Sequence, residues 1–406
     1  MTPSAQPVLT KVAINQLSSV VVDRLVAAAR DTARVGGLTH KFYRYPARFS
    51  PVLVRAVIEA FTERGDTVLD PFMGGGTTLV EALAAGRKGV GSDISSLASF
   101  VSEVKTALYG EEELEKLRAW IQTVGAKINI HEDVSSSPHY EAAGYYRQLD
   151  KPATWRLRKA IDQALSSAVA LSSECLEAFA RCVILRTAQW ALDGRKSLPT
   201  VGEFRAALKK YGLSMLVGAR ELRVAANADG HSPIEAKCLN RSVEGLEADE
   251  FLKSSAKPRL VITSPPYPGV HVLYHRWQVN GRKETPAPFW IANRLDGDGS
   301  AYYTMGDRHS YKLNTYFEKL FGALKSVVAV CDDRTTVVQV VAFSEPEWQL
   351  PRYLAVADEA GLVEQYLPGL GDDGRLWRGV PNRKWHAEQG GATAGSQEVV
   401  LFHRLR

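Results

Sequence analysis

The stretch TVLDPFMGGGTTLVEALAAGRKGVGSD, residues 67–93, decides the fold of this chain. It opens with a short strand, and three consecutive glycines then separate this strand from a helix that ends at Gly86. A second strand follows and ends at Asp93. A strand, a glycine-rich loop, a helix and a further strand make one unit of an open parallel sheet. The stretch therefore predicts an α/β protein.

The glycine loop within this stretch also predicts a ligand. Glycines at 74–76 permit positive φ angles and let a ligand approach the backbone closely. The helix that follows presents free N–H groups to a polar ligand. A phosphate-binding P-loop is excluded because no Gly-Lys-Ser/Thr follows, and the dinucleotide spacing G-x-G-x-x-G is incomplete. Asp93, at the next strand end, can accept hydrogen bonds from both hydroxyls of a ribose. Loop and acid together predict a nucleoside-bearing cofactor whose other end is polar.

A second motif lies in RLVITSPPY, residues 259–267, where an apolar strand runs directly into two prolines and a tyrosine. Proline cannot donate a hydrogen bond to a neighbouring strand, so the strand must end at this point. In α/β proteins the carboxyl ends of parallel strands carry the chemistry. We therefore interpret this turn as functional.

The rest of the chain predicts a seven-stranded sheet interrupted by helices. A helix is expected over residues 51–63, with Ser50 as its N-cap and Pro51 at its first position. Apolar residues recur every three or four positions over 111–227, which indicates a largely helical region. The predicted strands are 67–70, 88–93, 235–240, 258–264, 335–343, 362–368 and 398–405. The predicted division is 1–104, an N-terminal arm and the first half of the cofactor domain, then 105–234, a helical insertion, and 235–406, the second half of that domain.

Composition fits a globular protein of the cytoplasm. Of the 406 residues, 45% are hydrophobic and 23% are charged, and no apolar run is long enough to span a membrane. The first residues lack the pattern of a secretory signal. The four cysteines form no close CxxC pair, which argues against a zinc ribbon or a disulfide framework and favours reduced thiols. The net charge is +5, and residues 1–60 hold eight Lys or Arg against three acids, interleaved with aromatics, as in proteins that contact phosphates. The same charges are equally consistent with a solvated face.

The two motifs DPFMGGGTT (70–78) and TSPPY (263–267) together resemble the S-adenosylmethionine-dependent DNA amino-methyltransferases of restriction–modification systems. HKFYRYPARFSP (40–51) resembles the segment that in this family covers the methionine end of the cofactor. The resemblance extends over 39–99 and 235–406. It implies a Rossmann-like sheet of seven strands, whose last two strands form an antiparallel hairpin.

The resemblance also assigns roles to individual residues. Asp70 matches the acid near the cofactor's amino group, Asp93 matches the ribose acid, and Asn240 stands near the adenine, where the family usually has an acid. No metal is implied. The implied cofactor-binding set is Tyr45, Pro46, Phe49, Asp70, Pro71, Phe72, Gly74, Gly75, Gly76, Thr77, Thr78, Asp93, Ile94 and Asn240. The implied catalytic set is Ser264, Pro265, Pro266 and Tyr267.

The catalytic tetrapeptide has a physical rationale. An exocyclic amine is a poor nucleophile because its lone pair is delocalised into the ring. The side chain of Ser264 and the carbonyl of Pro265 can accept its two N–H groups and favour a more tetrahedral nitrogen. Tyr267 can stack on a base that has been flipped out of the duplex. The resemblance implies a direct displacement with no covalent enzyme intermediate.

The first residue of the tetrapeptide bears on which amine is methylated. In the family, serine at this position favours cytosine N4, whereas aspartate or asparagine favours adenine N6. Ser264 therefore favours cytosine N4, with adenine N6 as the alternative. Cytosine C5 methylation needs a cysteine nucleophile, typically after a proline, and no cysteine here follows a proline. An RNA amino-methyltransferase and an inactive nucleic-acid-binding protein stay open as other classes.

The resemblance makes double-stranded DNA the partner, together with a restriction endonuclease that acts on the same site. Target recognition is expected from residues 268–312, which follow the tetrapeptide and are rich in aromatics and arginine. The helical insertion is the other candidate region. The predicted DNA-binding residues are His271, Tyr274, Arg276, Trp277, Arg282 and Lys283.

Overall fold

The structure is a computed structural model. The residues that it describes are 12–14, 17–33, 35–45, 49–132, 138–228, 234–269, 276–279, 281, 283–297, 300–306, 311–370, 373–379 and 397–406.

The described residues form strands and helices that alternate through much of the chain. The strands are β1 (Val12–Ala13), β2 (Thr67–Asp70), β3 (Lys88–Asp93), β4 (Ala236–Asn240), β5 (Leu260–Thr263), β6 (Trp277–Val279), β7 (Lys283–Thr285), β8 (Thr336–Ala342), β9 (Leu362–Tyr366), β10 (Leu376–Gly379) and β11 (Gln397–Leu405). The helices are α1 (Ser19–Arg30), α2 (Pro51–Phe61), α3 (Thr77–Ala84), α4 (Ser96–Thr106), α5 (Glu111–Lys127), α6 (Pro138–Ala142), α7 (Trp155–Val169), α8 (Glu174–Leu192), α9 (Val201–Ala226), α10 (Glu250–Ser254), α11 (Ala287–Ile291), α12 (Asn314–Val330) and α13 (Pro346–Glu359).

The main sheet has the strand order β1-β9-β11-β8-β5-β2-β3-β4. Strands β8, β5, β2, β3 and β4 run parallel, whereas β11 is antiparallel to both β8 and β9. All seven predicted strands are present, and the Rossmann-like fold is confirmed. The short strands β1 and β10 extend the sheet, and β6 and β7 form a separate hairpin. These four were not predicted: each has only two to four residues and stands outside the alternation of strands and helices on which the prediction rests.

Helices cover both faces of the sheet. Alternate residues of β8 point to opposite faces, as the pleat of a strand requires. Val338 and Val340 pack with α1 and α2 on one face, while Val337 and Val341 pack with α12 and α13 on the other. The sheet is thus the middle layer of three.

The N-terminal residues that sequence reasoning treated as an arm contain a packed helix. Leu25 and Ala29 of α1 are buried in the same apolar cluster as α2. Helix α2 begins as predicted, because the Ser50 side chain accepts a hydrogen bond from the Leu53 N–H and Pro51 occupies the first turn. It ends at Phe61, two residues earlier than predicted, since Thr62 is extended.

Helices α4 to α9 share one large apolar cluster with the segment 42–45. Close approach is visible at Gly218 of α9, where an added Cβ would lie 2.1 Å from the carbonyl oxygen of Leu38. The Gln189 side chain of α8 both accepts from the Arg44 N–H (3.1 Å) and donates to the Arg44 carbonyl (2.8 Å). The helical region therefore holds in place the segment that lies over the glycine loop.

Candidate active site

The carboxyl ends of neighbouring parallel strands bring the two predicted motifs together. Strand β2 lies between β3 and β5, with Asp70 opposite Gly91 and Leu69 opposite Val261. The glycine loop, Asp93 and the Ser-Pro-Pro-Tyr turn follow these three strands. They therefore share one edge of the sheet, as α/β ligand sites do.

The glycine loop adopts the left-handed conformations that glycine tolerates. Gly74 has φ +47° and Gly76, the N-cap of α3, has φ +68°. An added Cβ on Gly76 would lie 2.6 Å from the Ser102 hydroxyl, so this position faces α4 and not the open side of the loop. An added Cβ on Gly74 would meet only the Phe72 carbonyl oxygen, at 4.0 Å. Gly74 is thus the glycine with space beside it.

Two residues of α4 hold the loop, and sequence reasoning missed both. The Ser102 hydroxyl donates to the Gly74 carbonyl at 3.1 Å, and the buried Lys105 ammonium donates to the Gly75 carbonyl. Their three-residue spacing places them on one helical face, and that face is buried. Buried polar residues at helical spacing directly after the second strand were the signal available in the sequence.

Tyr45 covers the loop from above. Its ring would lie 2.6 Å from a Cβ added to Gly75, so the two pack against each other without a gap. The residue is only 6% exposed, and burial raises the pKa of its hydroxyl well above the usual value. This hydroxyl has no hydrogen-bond partner among the described residues. The predicted neighbour Pro46 lies outside the described residues, and Phe49 packs against the apolar cluster of α2.

Asp93 joins the glycine loop to the start of α4. Its carboxylate accepts from the Gly74 N–H (3.0 Å) and from the Ser95 N–H (2.8 Å). Burial raises the pKa of this carboxyl to about 6, although the two N–H donors partly oppose the shift. The side chain is half-buried. Asn240, which is exposed, donates to the carbonyls of Asp93 (3.0 Å) and Ile94 (3.2 Å) and so fixes the backbone after β3.

Asp70 is turned into the protein. Its carboxylate accepts from the hydroxyls of Thr263 and Thr78, both at 2.6 Å, and from the Phe72 N–H at 3.1 Å. The residue is 2% exposed, and burial raises the pKa of its carboxyl to about 6. Asp70 therefore ties the ends of β2 and β5 to the first turn of α3, a role that sequence reasoning did not assign. The neighbouring Pro71 and Thr77 are buried, and Phe72 is half-buried.

A pocket of about 410 Å³ opens at Ile94, the residue that follows Asp93. One side consists of Ile94, Ser96 and Asn240, and the other of residues 293–297 with Tyr302 and Tyr303. The Ser96 hydroxyl donates to the Leu295 carbonyl at 2.7 Å, which joins the two sides.

Hydrogen bonds among its own residues and with Arg276 stabilise the side of the pocket that consists of residues 293–297, Tyr302 and Tyr303. Asp296 accepts two hydrogen bonds from the Arg276 guanidinium, at 2.9 and 2.6 Å, and a third from the Tyr303 hydroxyl at 2.7 Å. The Gly297 N–H in turn donates to the Tyr303 oxygen at 2.7 Å. This wall is thus a defined surface across the pocket from Ile94, Ser96 and Asn240.

The Ser-Pro-Pro-Tyr turn follows β5, and most of its polar groups contact other parts of the protein. The Ser264 hydroxyl lies 3.0 Å from the Val340 carbonyl oxygen and 3.2 Å from the Tyr267 hydroxyl. The Pro266 carbonyl accepts from the Tyr316 hydroxyl at 2.9 Å. The Pro265 carbonyl accepts no hydrogen bond from any described residue. One acceptor of the turn is therefore unused within the described part of the chain.

The predicted DNA-binding residues differ in their exposure and in their contacts in the structure. His271, Tyr274 and Arg282 lie outside the described residues. Trp277 is 1% exposed and donates its indole N–H to the Tyr43 hydroxyl at 2.9 Å, so its prediction as a DNA contact is wrong: it is part of the core. The Arg276 guanidinium donates two hydrogen bonds to Asp296 within the protein. Lys283 is exposed.

The described residues also bear on metal binding and on membrane insertion. No group of three or more His, Cys, Asp or Glu among them is arranged to hold a metal ion. No helix in the described ranges is both long and apolar enough to cross a membrane.

Parts of the chain are similar to known DNA methylases. Residues 29–99 match the N6/N4 methyltransferase family, described as DNA methylase. The chain is 37% identical over 78 residues to the type II methyltransferase M.MjaII of Methanocaldococcus jannaschii, a stretch that covers 19% of this chain and 15% of that protein. It is 35% identical over 91 residues to the DNA adenine methyltransferase YhdJ of Escherichia coli, which covers 22% of this chain and 31% of that protein.

Among solved structures, the rRNA methyltransferase AviRa of Streptomyces viridochromogenes aligns with a TM-score of 0.36 and 11% identity, over 89% of each chain. At this level of superposition it adds nothing to the fold, which rests on the strand order. The chain spans less than a third of the length of either sequence relative. Sequence similarity to DNA methylases therefore covers Tyr45, the glycine loop and Asp93, and the matched family segment ends before the Ser-Pro-Pro-Tyr turn.

Proposed function

We propose that this protein is a DNA amino-methyltransferase that uses S-adenosylmethionine and methylates the exocyclic N4 amine of cytosine in duplex DNA. One observation carries the proposal: the glycine loop, Asp93 and the Ser-Pro-Pro-Tyr turn lie at adjacent strand ends of one Rossmann-like sheet. The similarity of residues 29–99 to DNA methylases supports it.

The residues around the loop fit S-adenosylmethionine. When bound, this cofactor supplies an electrophilic methyl group on a sulfonium centre. Asp93 offers a half-buried carboxylate for the ribose hydroxyls, and the pocket at the next residue, Ile94, has room for the adenine. The open space at Gly74 admits close approach to the backbone, and the Tyr45 hydroxyl supplies a buried polar atom that needs a partner. Ile94 and Asn240 would border the adenine end.

The turn after β5 would hold the target amine. Ser264 has one proton to donate and two lone pairs, so while it donates within the protein it can still accept. The Pro265 carbonyl is the second acceptor, and neither proline carries an N–H that would compete for it. Two fixed acceptors can orient both N–H groups of an exocyclic amine and stabilise the charge that develops on its nitrogen.

The pKa values of the four thiols argue against a cysteine nucleophile and therefore against methylation at C5 of cytosine. Burial raises the pKa of Cys182, Cys238 and Cys331 to about 12 each, and it also raises the pKa of Cys175. A nucleophilic cysteine needs a lowered pKa. The amine is therefore the acceptor in our proposal, and Ser264 at the head of the turn favours cytosine N4. Adenine N6 is the second candidate, because the similar protein YhdJ is named as an adenine methyltransferase.

The proposed domain organisation keeps 105–234 as a helical insertion and 268–312 as the segment that contacts the target. Exposed Lys283 is the predicted DNA contact that the described surface supports. We also propose double-stranded DNA as the partner, a restriction endonuclease of the same site as a functional counterpart, and the cytoplasm as the location.

Transfer of label tests the proposal. The full-length protein should move tritium from methyl-labelled S-adenosylmethionine into DNA from a host that lacks this protein. Transfer should be absent with RNA of similar length. Label in RNA alone would point to an RNA amino-methyltransferase, and cofactor binding without transfer to any nucleic acid would point to an inactive binding protein.

The packing of Tyr45 on Gly75 makes a first prediction. In the Gly75→Ala variant the new methyl group must displace a buried ring, and such overpacking typically costs about 1–3 kcal/mol. We expect the affinity for S-adenosylmethionine, measured by calorimetry, to fall about tenfold, because the ring then no longer covers the loop. Gly110→Ala is the matched control, since its Cβ would lie 3.6 Å from the nearest atom. Equal affinity in the two variants would exclude Tyr45 from the cofactor site.

The basic N-terminal residues make a second prediction. Deleting the arm would remove the packed helix α1, so charge neutralisation is the better experiment. Arg24 and Arg30 are exposed on α1. If both meet DNA phosphates, the double Arg→Gln variant should bind duplex DNA with a log-affinity against log-salt slope lower by about 2. The double variant Lys116→Gln and Lys253→Gln, on exposed ion pairs of α5 and α10, removes the same two charges and is the control. A slope equal to that of the control would assign these two charges to solvent.

A further inference from the structure

A chain of polar contacts leads from the Ser-Pro-Pro-Tyr turn to the last strand of the sheet. The Ser264 hydroxyl lies 3.2 Å from the Tyr267 hydroxyl, and the Tyr267 hydroxyl donates to Glu398 of β11 at 2.7 Å. The other carboxylate oxygen of Glu398 lies 3.5 Å from Nε of Arg378. Glu398 comes 131 residues after Tyr267, so this contact is a product of the fold and not of local sequence.

The strand register fixes the carboxylate at the end of this chain. Arg378 of β10 is directly opposite Glu398 of β11 in an antiparallel pair. The Arg378 side chain is 2% exposed and that of Glu398 is 13% exposed. A guanidinium that is buried to this extent requires a negative partner, because an uncompensated buried charge is strongly unfavourable. Arg378 thus holds Glu398 by an ion pair alone, since its Nε makes no hydrogen bond to a described residue, and the other oxygen of Glu398 accepts from Tyr267.

The hydrogen bonds have a defined direction. A carboxylate only accepts, so the phenol proton of Tyr267 lies toward Glu398. The phenol oxygen is then an acceptor, not a donor, toward Ser264. The single proton of Ser264 points either to Tyr267 or to the Val340 carbonyl. In both arrangements the lone pairs of Ser264 stay available to another donor.

We propose that Glu398, held by Arg378, is a positioning residue for methyl transfer: it sets the orientation of the Tyr267 ring and, through it, keeps Ser264 an acceptor for the target amine. This assignment rests on the proposed function. A charge-assisted hydrogen bond of 2.7 Å is short and strong, so it restricts the rotation of the ring on which a flipped base would stack.

The chain contains a matched control for this pair. Glu364 of β9 forms an ion pair with Arg375 at 2.7 Å, and its side chain is 6% exposed. Glu364 is therefore also a buried carboxylate next to an arginine in the same sheet. Both of its carboxylate oxygens accept from Arg375, and it lies on β9 opposite His403 of β11, not on the strand that leads into the Ser-Pro-Pro-Tyr turn. Loss of each carboxylate should cost folding stability, whereas only loss of Glu398 should affect the turn.

The experiment is a double-mutant cycle on the full-length protein. Single-turnover transfer of tritium from S-adenosylmethionine to DNA from a host lacking this protein is measured for Glu398→Ala, Tyr267→Phe and the double variant. We expect about a tenfold loss of rate in each single variant, as for one hydrogen bond to a charged group, and no further loss in the double variant. Affinity for S-adenosylmethionine should stay within twofold, and Glu398→Gln, which keeps an acceptor, should recover part of the rate.

For variants that fold but transfer slowly, a spectroscopic measurement reports the environment of the Tyr267 ring directly. In protein labelled with 3-fluorotyrosine, the ¹⁹F resonance that disappears in Tyr267→Phe should shift in Glu398→Ala and stay in place in Glu364→Ala. Additive losses in the cycle, or an equal loss of rate in Glu364→Ala, would overturn the assignment of Glu398. If the unmodified protein transfers no label, the proposed function fails and this assignment fails with it. Transfer by the unmodified protein with an undiminished rate in Glu398→Ala would overturn the assignment alone.

Discussion

Replacing Tyr267 with alanine should lower the single-turnover rate of methyl transfer about a hundredfold. Stacking of one base on an aromatic ring contributes roughly 1–3 kcal/mol. The variant also loses the hydrogen bond to Glu398, which adds roughly 1 kcal/mol. Together these losses correspond to a factor near one hundred in rate. Rates are compared at saturating S-adenosylmethionine, so that weaker cofactor binding does not contribute.

Two variants show whether this loss is specific. Phe251→Ala removes an exposed ring from α10, outside the site, and should transfer at the unmodified rate. Ser264→Ala should also slow transfer while it spares cofactor affinity, because it removes an acceptor for the amine only. A Tyr267→Ala protein that folds and transfers at the unmodified rate would remove the aromatic ring from the mechanism.

Replacing Asp93 with alanine should weaken binding of S-adenosylmethionine about thirtyfold in calorimetry. Two hydrogen bonds to ribose hydroxyls are lost, each of about 1 kcal/mol. The Gly74 N–H loses its acceptor as well, so thirtyfold is a lower bound. Asp93→Asn keeps one acceptor oxygen and should show a smaller loss. Unchanged affinity in both folded variants would place the cofactor elsewhere.

The same carboxyl predicts how affinity depends on pH. Burial raises the pKa of Asp93 to about 6, so the group is ionised at pH 7.5 and largely protonated at pH 5. Protonation removes acceptor capacity, so the dissociation constant should rise as pH falls through about 6, by at most tenfold per pH unit. Asp93→Asn should flatten this dependence, and any slope that remains would report Asp70, whose pKa is also raised to about 6. An affinity that improves toward pH 5 would contradict the assignment.

The features that could be predicted from the sequence are those that depend on a few neighbouring residues. Three glycines between a strand and a helix, and two prolines that stop a strand, restrict the backbone wherever they occur, and in the structure β2 and β5 end at these two places. Most of the seven main strands were predicted from an apolar run bounded by turn residues. The Ser50 cap of α2 follows from the same local rules.

The features that sequence reasoning missed depend on contacts between distant segments. The Gly76 position looks like open space for a cofactor in the sequence, but its Cβ direction leads to Ser102 of α4. Trp277 resembles a surface aromatic between arginine-rich segments, yet it is buried against Tyr43. Glu398 is one acid in a strand, and only the pairing of β10 with β11 brings Arg378 opposite to it. Such contacts are absent from any short stretch of sequence.

The most direct test of the central claim is the identity of the methylated nucleoside. DNA from a host expressing the full-length protein is digested to nucleosides and analysed by mass spectrometry, with DNA from a host expressing the Ser264→Ala variant as the control. We predict N4-methylcytosine in the first sample and its loss or strong reduction in the second. N6-methyladenine in its place would overturn the choice of base and leave the role of the turn intact, whereas 5-methylcytosine or no methylated nucleoside would contradict the proposal that this protein is a DNA amino-methyltransferase.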